Sequence, residues 1–349
     1  MSQTVVESAE ASPRGRWLPG FTLERAAGWT LLAGLAAFLV YTFVTQPSNF
    51  LTTFFIGVNQ GALYALIALG YTLVYGIIEL INFSHGDLFM LASVLSAFVM
   101  VNWLGVVDPS IGAFLLMFGA MLVVMAAAAG LNSAAERVAY RRLRRAPKLA
   151  PLITAVGLSF VYQWAGIKTN GSGQRNWETI LGRASFSIGN VTIYWSLIVV
   201  ISFTIPLLLL MTWIIQRTRQ GKAMRATAQD QDAARLMGID VDRTIMLTFA
   251  MGGALAGAAG MLYFETFGTT RYNDGFQLGL IAFTAAVLGG IGNLNGAVLG
   301  GFLIGIIQAM NDRFAFGVAW SQTVVFSILI ALMVFKPEGI LGKPTTEKV

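Results

Sequence analysis

The stretch INFSHGDLFM at residues 81–90 holds the single histidine of the chain, His85, with Asp87 just after it and Glu79 just before. An imidazole between two carboxylates can relay a proton, line a solute path, or bend and cap a helix. No Ser/His/Asp constellation and no metal-ligand spacing surrounds these residues, which argues against hydrolytic or metal chemistry. Cysteine is absent, so disulfides, thiolate nucleophiles and thiolate-bound metals are excluded.

Three readings of the cluster stay open. In the first it is a capped turn: Asn82 or Ser84 caps, Gly86 relaxes the backbone, and Asp87 sits at the positive end of the next helix. In the second it is a broken helix inside the membrane, whose backbone groups and Asn82 line the translocation path. In the third Glu79, His85 and Asp87 pass a proton.

The elements that must position this cluster are apolar. Of 349 residues 56% are hydrophobic and only 11% charged, against about a quarter charged in a soluble domain. The expected fold is an all-α polytopic membrane protein with about 8–10 transmembrane helices, some of them discontinuous. Candidate spans are 27–45, 51–81, 87–104, 111–130, 152–167, 193–215, 244–264, 277–290, 292–310 and 318–335. The run 51–81 would be ~46 Å long as a helix and the run 277–290 only ~21 Å, against a hydrocarbon core of about 30 Å. Over-long and over-short runs broken by glycine are the mark of discontinuous helices. Gly70 or the NFSHG turn is expected to break the first, and LGGIGNLNGAVLGG at 288–301 the second. Within the latter, Asn293 and Asn295 either cap a re-entrant turn or face solute.

Charge sets the orientation. The formal net charge is +6, and the excess of Lys and Arg lies in loops rather than on a nucleic-acid face. Residues 131–150 carry Arg137, Arg141, Arg142, Arg144, Arg145 and Lys148 against Glu136. Residues 216–243 carry Arg217, Arg219, Lys222, Arg225, Arg235 and Arg243. Both segments are expected on the cytoplasmic side, with the N-terminus and with Lys336, Lys343 and Lys348. The linker 168–192 is then external, and its ASFSIGNVTIYW pattern predicts a short hairpin. Glu265, Arg271 and Asp274 are expected outside, either solvated or docking a binding protein, and Asp312 and Arg313 at an external span end are placed to pair with each other.

The segment 216–243 is too rich in helix formers for a connector. Asp230 predicts an N-cap, Asp232 a first-turn acid, Arg235 a last-turn base and Gly238 the terminal glycine of a two-turn helix. Gly221 opens an earlier turn through Met224 and Ala228. A helix so short needs a surface to dock on. Ala233, Ala234, Leu236 and Met237 are expected to be displayed. The surface is either this chain's own cytoplasmic face or a partner's groove.

Three stretches carry a family resemblance: GALYALIALGYTLVYGIIELINFSHGDLFML at 61–91, RQGKAMRATAQDQDAARLMGIDVDR at 219–243, and AAVLGGIGNLNGAVLGG at 285–301. Over about residues 50–340 the chain resembles the permease subunits of branched-chain amino-acid-type ATP-binding-cassette importers. The resemblance implies a second, homologous permease, two cytoplasmic ATPases that bind ATP and Mg, and a periplasmic solute-binding protein. It implies a bacterial inner-membrane location, and branched-chain amino acids, urea or short amides as cargo. It places Gly221, Arg225, Ala226, Ala228, Asp230, Ala233 and Gly238 on a coupling segment seated on the ATPase. Apart from the resemblance, the residues themselves make Asn82, His85, Gly86, Asp87, Asn293 and Asn295 candidates for the translocation path. The chain has no GxxxxGK[ST] motif, so an ATP-driven engine would have to lie in partner subunits and no cofactor is expected in this chain. The organisation expected is a polar tail at 1–25, a permease domain at 26–340 and a tail at 341–349. The competing class is an autonomous secondary transporter or channel, in which His85 and its acids would couple an ion. A membrane enzyme leaves the 221–238 helix without a purpose.

Overall fold

A computed structural model describes residue 34 and residues 37–342, except Val107, Arg145, Lys148, Arg183 and Pro337. The tails at 1–25 and 343–349, with Lys343 and Lys348, lie outside the described residues, as do residues 27–33, 35 and 36 of the span expected at 27–45. Residues 37–45 are helical and belong to a unit ending at Pro47, separate from the unit Ser48–Val349.

Nine apolar helices build the larger unit. They are α1 (Pro47–Ile78), α2 (Ser84–Ala97, prolonged by a π turn Phe98–Trp103), α3 (Ile111–Ala135, prolonged through Leu143), α4 (Leu149–Asn170), α5 (Trp195–Arg217), α8 (Val241–Phe267), α9 (Asp274–Gly289), α10 (Leu294–Phe314) and α11 (Ser321–Phe335). Two short polar helices, α6 (Arg219–Gln229) and α7 (Gln231–Leu236), join α5 to α8. Among the described residues eight helical segments are long and apolar enough to cross a membrane, and α9 is shorter. The expected fold class thus holds, as a multi-pass all-α membrane protein, with eight candidate crossings among the described residues. Hydrocarbon leaves no water for backbone groups, so each crossing closes its hydrogen bonds internally.

Side-chain bonds sort the helix ends into two faces. On the basic face Arg144 pairs with Asp242 at 2.6 Å and the Tyr140 hydroxyl donates to Asn82 at 2.7 Å. This joins the ends of α1 and α3 to the start of α8, so both basic segments lie on one side. On the opposite face β1 (Arg175–Asn176) pairs with β4 (Thr269–Thr270), and β2 (Ser185–Ile188) pairs with β3 (Val191–Tyr194) in the expected hairpin. The Thr192 amide ties that hairpin to Thr52 in α1.

Small residues let the helices touch. A Cβ added at Gly57 would lie 2.7 Å from the Ile306 Cα, and one at Gly61 would lie 2.7 Å from the Phe302 Cα. The backbones of α1 and α10 are therefore in direct contact, as small residues four apart permit in lipid.

Candidate functional site

The α1–α2 turn folds back into the bundle. Gly70 does not break α1, which runs unbroken to Ile78. Gly70 instead makes room for the His85 imidazole and the Gly252 carbonyl. The break comes at Glu79, a non-glycine residue with φ of 53°, a left-handed value that an α-helix does not tolerate. After four more residues α2 begins at Ser84. His85 then lies beside Gly70, eight residues or ~12 Å of helix above the end of α1.

Within the turn the bonding differs from the expected cap. Phe83 occupies the cap position, and no side chain caps α2. Asn82 instead accepts from Ser84 Oγ at 2.6 Å and from the Tyr140 hydroxyl at 2.7 Å. Asn82 ties the turn to α3, a long-range bond that outcompetes a local cap. Gly86 does not relax the turn either. It lies inside α2, where a Cβ would meet the Gly279 Cα at 2.7 Å, so it brings α2 against α9. Asp87 does sit in the first turn of α2, where the helix dipole favours a carboxylate. It is fully buried and accepts from Ser159 and from Gln163 Nε2 of α4. His85 is buried against the Tyr71 ring, with ring centroids 4.9 Å apart. Its polar neighbour is the Ile67 backbone of α1, and among the described residues neither Glu79 nor Asp87 bonds either ring nitrogen. The third member of the supposed relay, Glu79, sits at the break itself.

The glycine-rich turn lies on the same basic face. Gly290 (φ 105°) and Gly292 (φ 88°) carry the chain through backbone angles closed to other residues. Asn293 then caps α10, accepting from the amides of Asn295 at 3.1 Å and Gly296 at 3.2 Å. Its own amide donates to the Leu341 carbonyl. Asn293 thus caps the turn and also lines the cavity beside it. Asn295 faces a cavity of about 590 Å³ between this turn, α1 and α6, lined also by Thr72, Ile77, Ile215 and Arg225.

The segment 216–243 takes the shape its residues demand. Thr218 caps α6 through the Gly221 amide. A Cβ on Gly221 would collide with the Ile214 and Ile215 carbonyls, so glycine seats α6 on the end of α5. Arg225 donates to the Ile215 carbonyl. Ala226 and Ala228 pack against the core. Asp230 caps α7, accepting from the amides of Asp232 at 2.8 Å and Ala233 at 3.0 Å. Arg235 pairs with Asp232, and Gly238 closes the helix at φ 80° with its amide on the Arg235 carbonyl. Leu236 and Met237 are 89% and 83% exposed and Ala233 is exposed, but Ala234 is buried in the core.

Three external expectations are corrected. Glu265 is not solvated: it is buried, and one carboxylate oxygen accepts from the Ile180 amide at 3.1 Å. The strand pair β1–β4 draws that loop over it. Arg271 is exposed as expected, while Asp274 is only half-exposed. Asp312 and Arg313 do not pair; Asp312 takes the Asn311 amide and Arg313 donates to Asn49. Ser159, Gln163 and Tyr140 were not singled out as partners of the turn. The signal that could have found two of them is a pair of polar residues four apart in the apolar run 152–167.

Residues 53–333 match the family model described as branched-chain amino acid transport system / permease component. The high-affinity branched-chain amino acid transport system permease protein BraD of Pseudomonas aeruginosa is 39% identical over 315 residues, covering 89% of this chain and 99% of that protein. The permease protein LivH of the corresponding system in Escherichia coli is also 39% identical, over 86% of this chain and 98% of that one. Among solved structures, PsaBC from Streptococcus pneumoniae in complex with Fab aligns at a TM-score of 0.44 and 14% identity, over 87% of this chain and 97% of that one. That likeness is too distant to carry fold or function.

Proposed function

This chain belongs to the branched-chain amino acid transport permease family, and from that premise we propose that it forms half of the membrane passage of an ATP-driven importer of branched-chain amino acids. A homologous permease supplies the other half. A periplasmic binding protein delivers the solute, and two cytoplasmic ATPases bind ATP and Mg and hydrolyse the nucleotide. The basic face is cytoplasmic, the membrane is the bacterial inner membrane, and the N-terminus is cytoplasmic.

The observation that carries this reading is α7. A six-residue helix does not hold itself together in water, yet this one is closed at both ends and displays Leu236 and Met237. Such a feature fits a groove on a partner. A push on α7 passes to α6 and from there to α5, because Gly221 and Arg225 fasten α6 to the Ile214–Ile215 carbonyls. The cavity behind α6 gives it room to move towards the α1 end and the α9–α10 turn. That movement would bias the helix ends that close the passage on this side. Within this scheme Asn82, Gly86 and Asp87 hold α2 on α3, α9 and α4, and His85 fills the space beside Gly70.

The test is leucine uptake by cells that express this chain from their own chromosome, compared with a strain deleted for it. The chain-dependent uptake stops when arsenate depletes ATP and continues when a protonophore collapses the proton gradient. The opposite pattern would overturn the reading in favour of a secondary transporter.

A further inference from the structure

On the face opposite the basic loops, α1 begins and α10 ends around a cavity of about 290 Å³. Its volume is at the small end of ligand cavities, suited to one small solute. Asp312 and Arg313 of α10 both line it, as do Gln60 and Ile56 of α1, Ala309 of α10, and Tyr194 at the end of the external hairpin. The hairpin is held over this site by the Thr192–Thr52 bond.

The lining is unusual in its charges. One carboxylate and one guanidinium face the same small space without pairing with each other, since the Asp312 carboxylate accepts only from Asn311 and Arg313 reaches Asn49 at 3.3 Å. A guanidinium has five N–H donors and a carboxylate about four lone-pair positions, so both keep capacity for a ligand. The Gln60 side chain adds a third polar group to the lining. Ile56, Ala309 and Tyr194 supply apolar wall beside these polar groups.

We propose that this cavity is an entry site for the head group of a free α-amino acid. The solute's carboxylate lies on Arg313, its ammonium on Asp312, and its aliphatic side chain on Ile56, Ala309 and Tyr194. A zwitterion satisfies both charges at once, which neither urea nor a simple amide can do. The inference rests on the importer reading above and names the chemistry that its outer face selects.

The test is equilibrium binding of radiolabelled L-leucine to the purified full-length chain. The competitors are 4-methylpentanoate, which lacks the amine, 3-methylbutylamine, which lacks the carboxylate, and urea. Leucine binds saturably, and each one-headed analogue competes roughly ten- to a hundredfold more weakly, the loss of one charged hydrogen bond. Arg313→Gln removes the preference for leucine over 3-methylbutylamine and leaves its preference over 4-methylpentanoate. Asp312→Asn does the reverse. Arg313→Lys restores part of the lost binding, and an unchanged melting temperature shows that all three variants fold. Leucine binding unaffected by either charge variant, in a chain that still supports ATP-driven leucine uptake, overturns the inference alone. So does a variant effect that appears only as a greater need for binding protein, which would make the site a docking point. A wild-type chain that supports no branched-chain amino acid uptake overturns the importer reading, and this inference with it.

Discussion

The most informative perturbation is at the two ends of α7. Asp230 satisfies two of the orphan amides at the start of the helix, those of Asp232 and Ala233. Replacing an N-cap aspartate by alanine costs about 1 kcal/mol, roughly a fivefold fall in the ratio of chains with the helix formed to those without it. Gly238 holds φ at 80°, and an alanine there costs about 1–2 kcal/mol more. The double variant therefore loses roughly 2–3 kcal/mol if the two ends act independently. Because Leu236 and Met237 are displayed only when the helix is formed, the loss should appear in coupling rather than in assembly of the apolar bundle. The assay is ATP-driven leucine uptake, normalised to the amount of chain in the membrane. Asp230→Asn, which keeps the capping oxygen, transports close to wild type. Asp230→Ala falls severalfold and the double variant further, all at equal membrane levels. Wild-type uptake by the double variant refutes the reasoning about α7. An Asp230→Asn variant as impaired as Asp230→Ala shows that the charge matters and the cap does not.

Four further outcomes follow from the packing. Gly275→Ala puts a Cβ 2.6 Å from the Gly86 carbonyl and 2.7 Å from the Asp87 Cα; this should cost about 1–3 kcal/mol, read as a lower melting temperature in detergent. Glu136→Gln takes a buried carboxylate from Arg141 and Arg144; Arg144 keeps Asp242 and Arg141 is partly exposed, so the loss should be about 1.5–3 kcal/mol, measured by the same melt. A double-mutant cycle of Asn82→Ala and Tyr140→Phe should return a coupling of about 1 kcal/mol from the 2.7 Å bond. Since no carboxylate bonds the His85 imidazole among the described residues, His85→Leu should retain most ATP-driven uptake; complete loss in a folded variant would revive the proton-relay reading.

What could be read from the sequence was what local chemistry decides. The apolar runs announced most of the crossings, Asp230 and Gly238 announced both ends of α7, and alternation announced the β2–β3 hairpin. What could not be read was the choice between local and distant partners. Asn82 is a good cap by type, but Tyr140, 58 residues on, captures its oxygen. Glu265 reads as a span-end acid, yet the Ile180 amide reaches it from 85 residues away and the loop buries it. Gly70 reads as a helix breaker, whereas its missing Cβ makes room for His85. Periodicity carries no information about which faces meet. The polar pair Ser159 and Gln163 was the clue that Asp87 had partners across the bundle.

The claim that this chain is one part of an ATP-driven machine is tested most directly by gentle purification of the tagged chain from its native membrane, with mass spectrometry of the intact assembly. The account predicts two P-loop ATPases and a second permease of the same family in a single complex. A chain that emerges alone, and by itself moves leucine across liposomes without ATP, would contradict it.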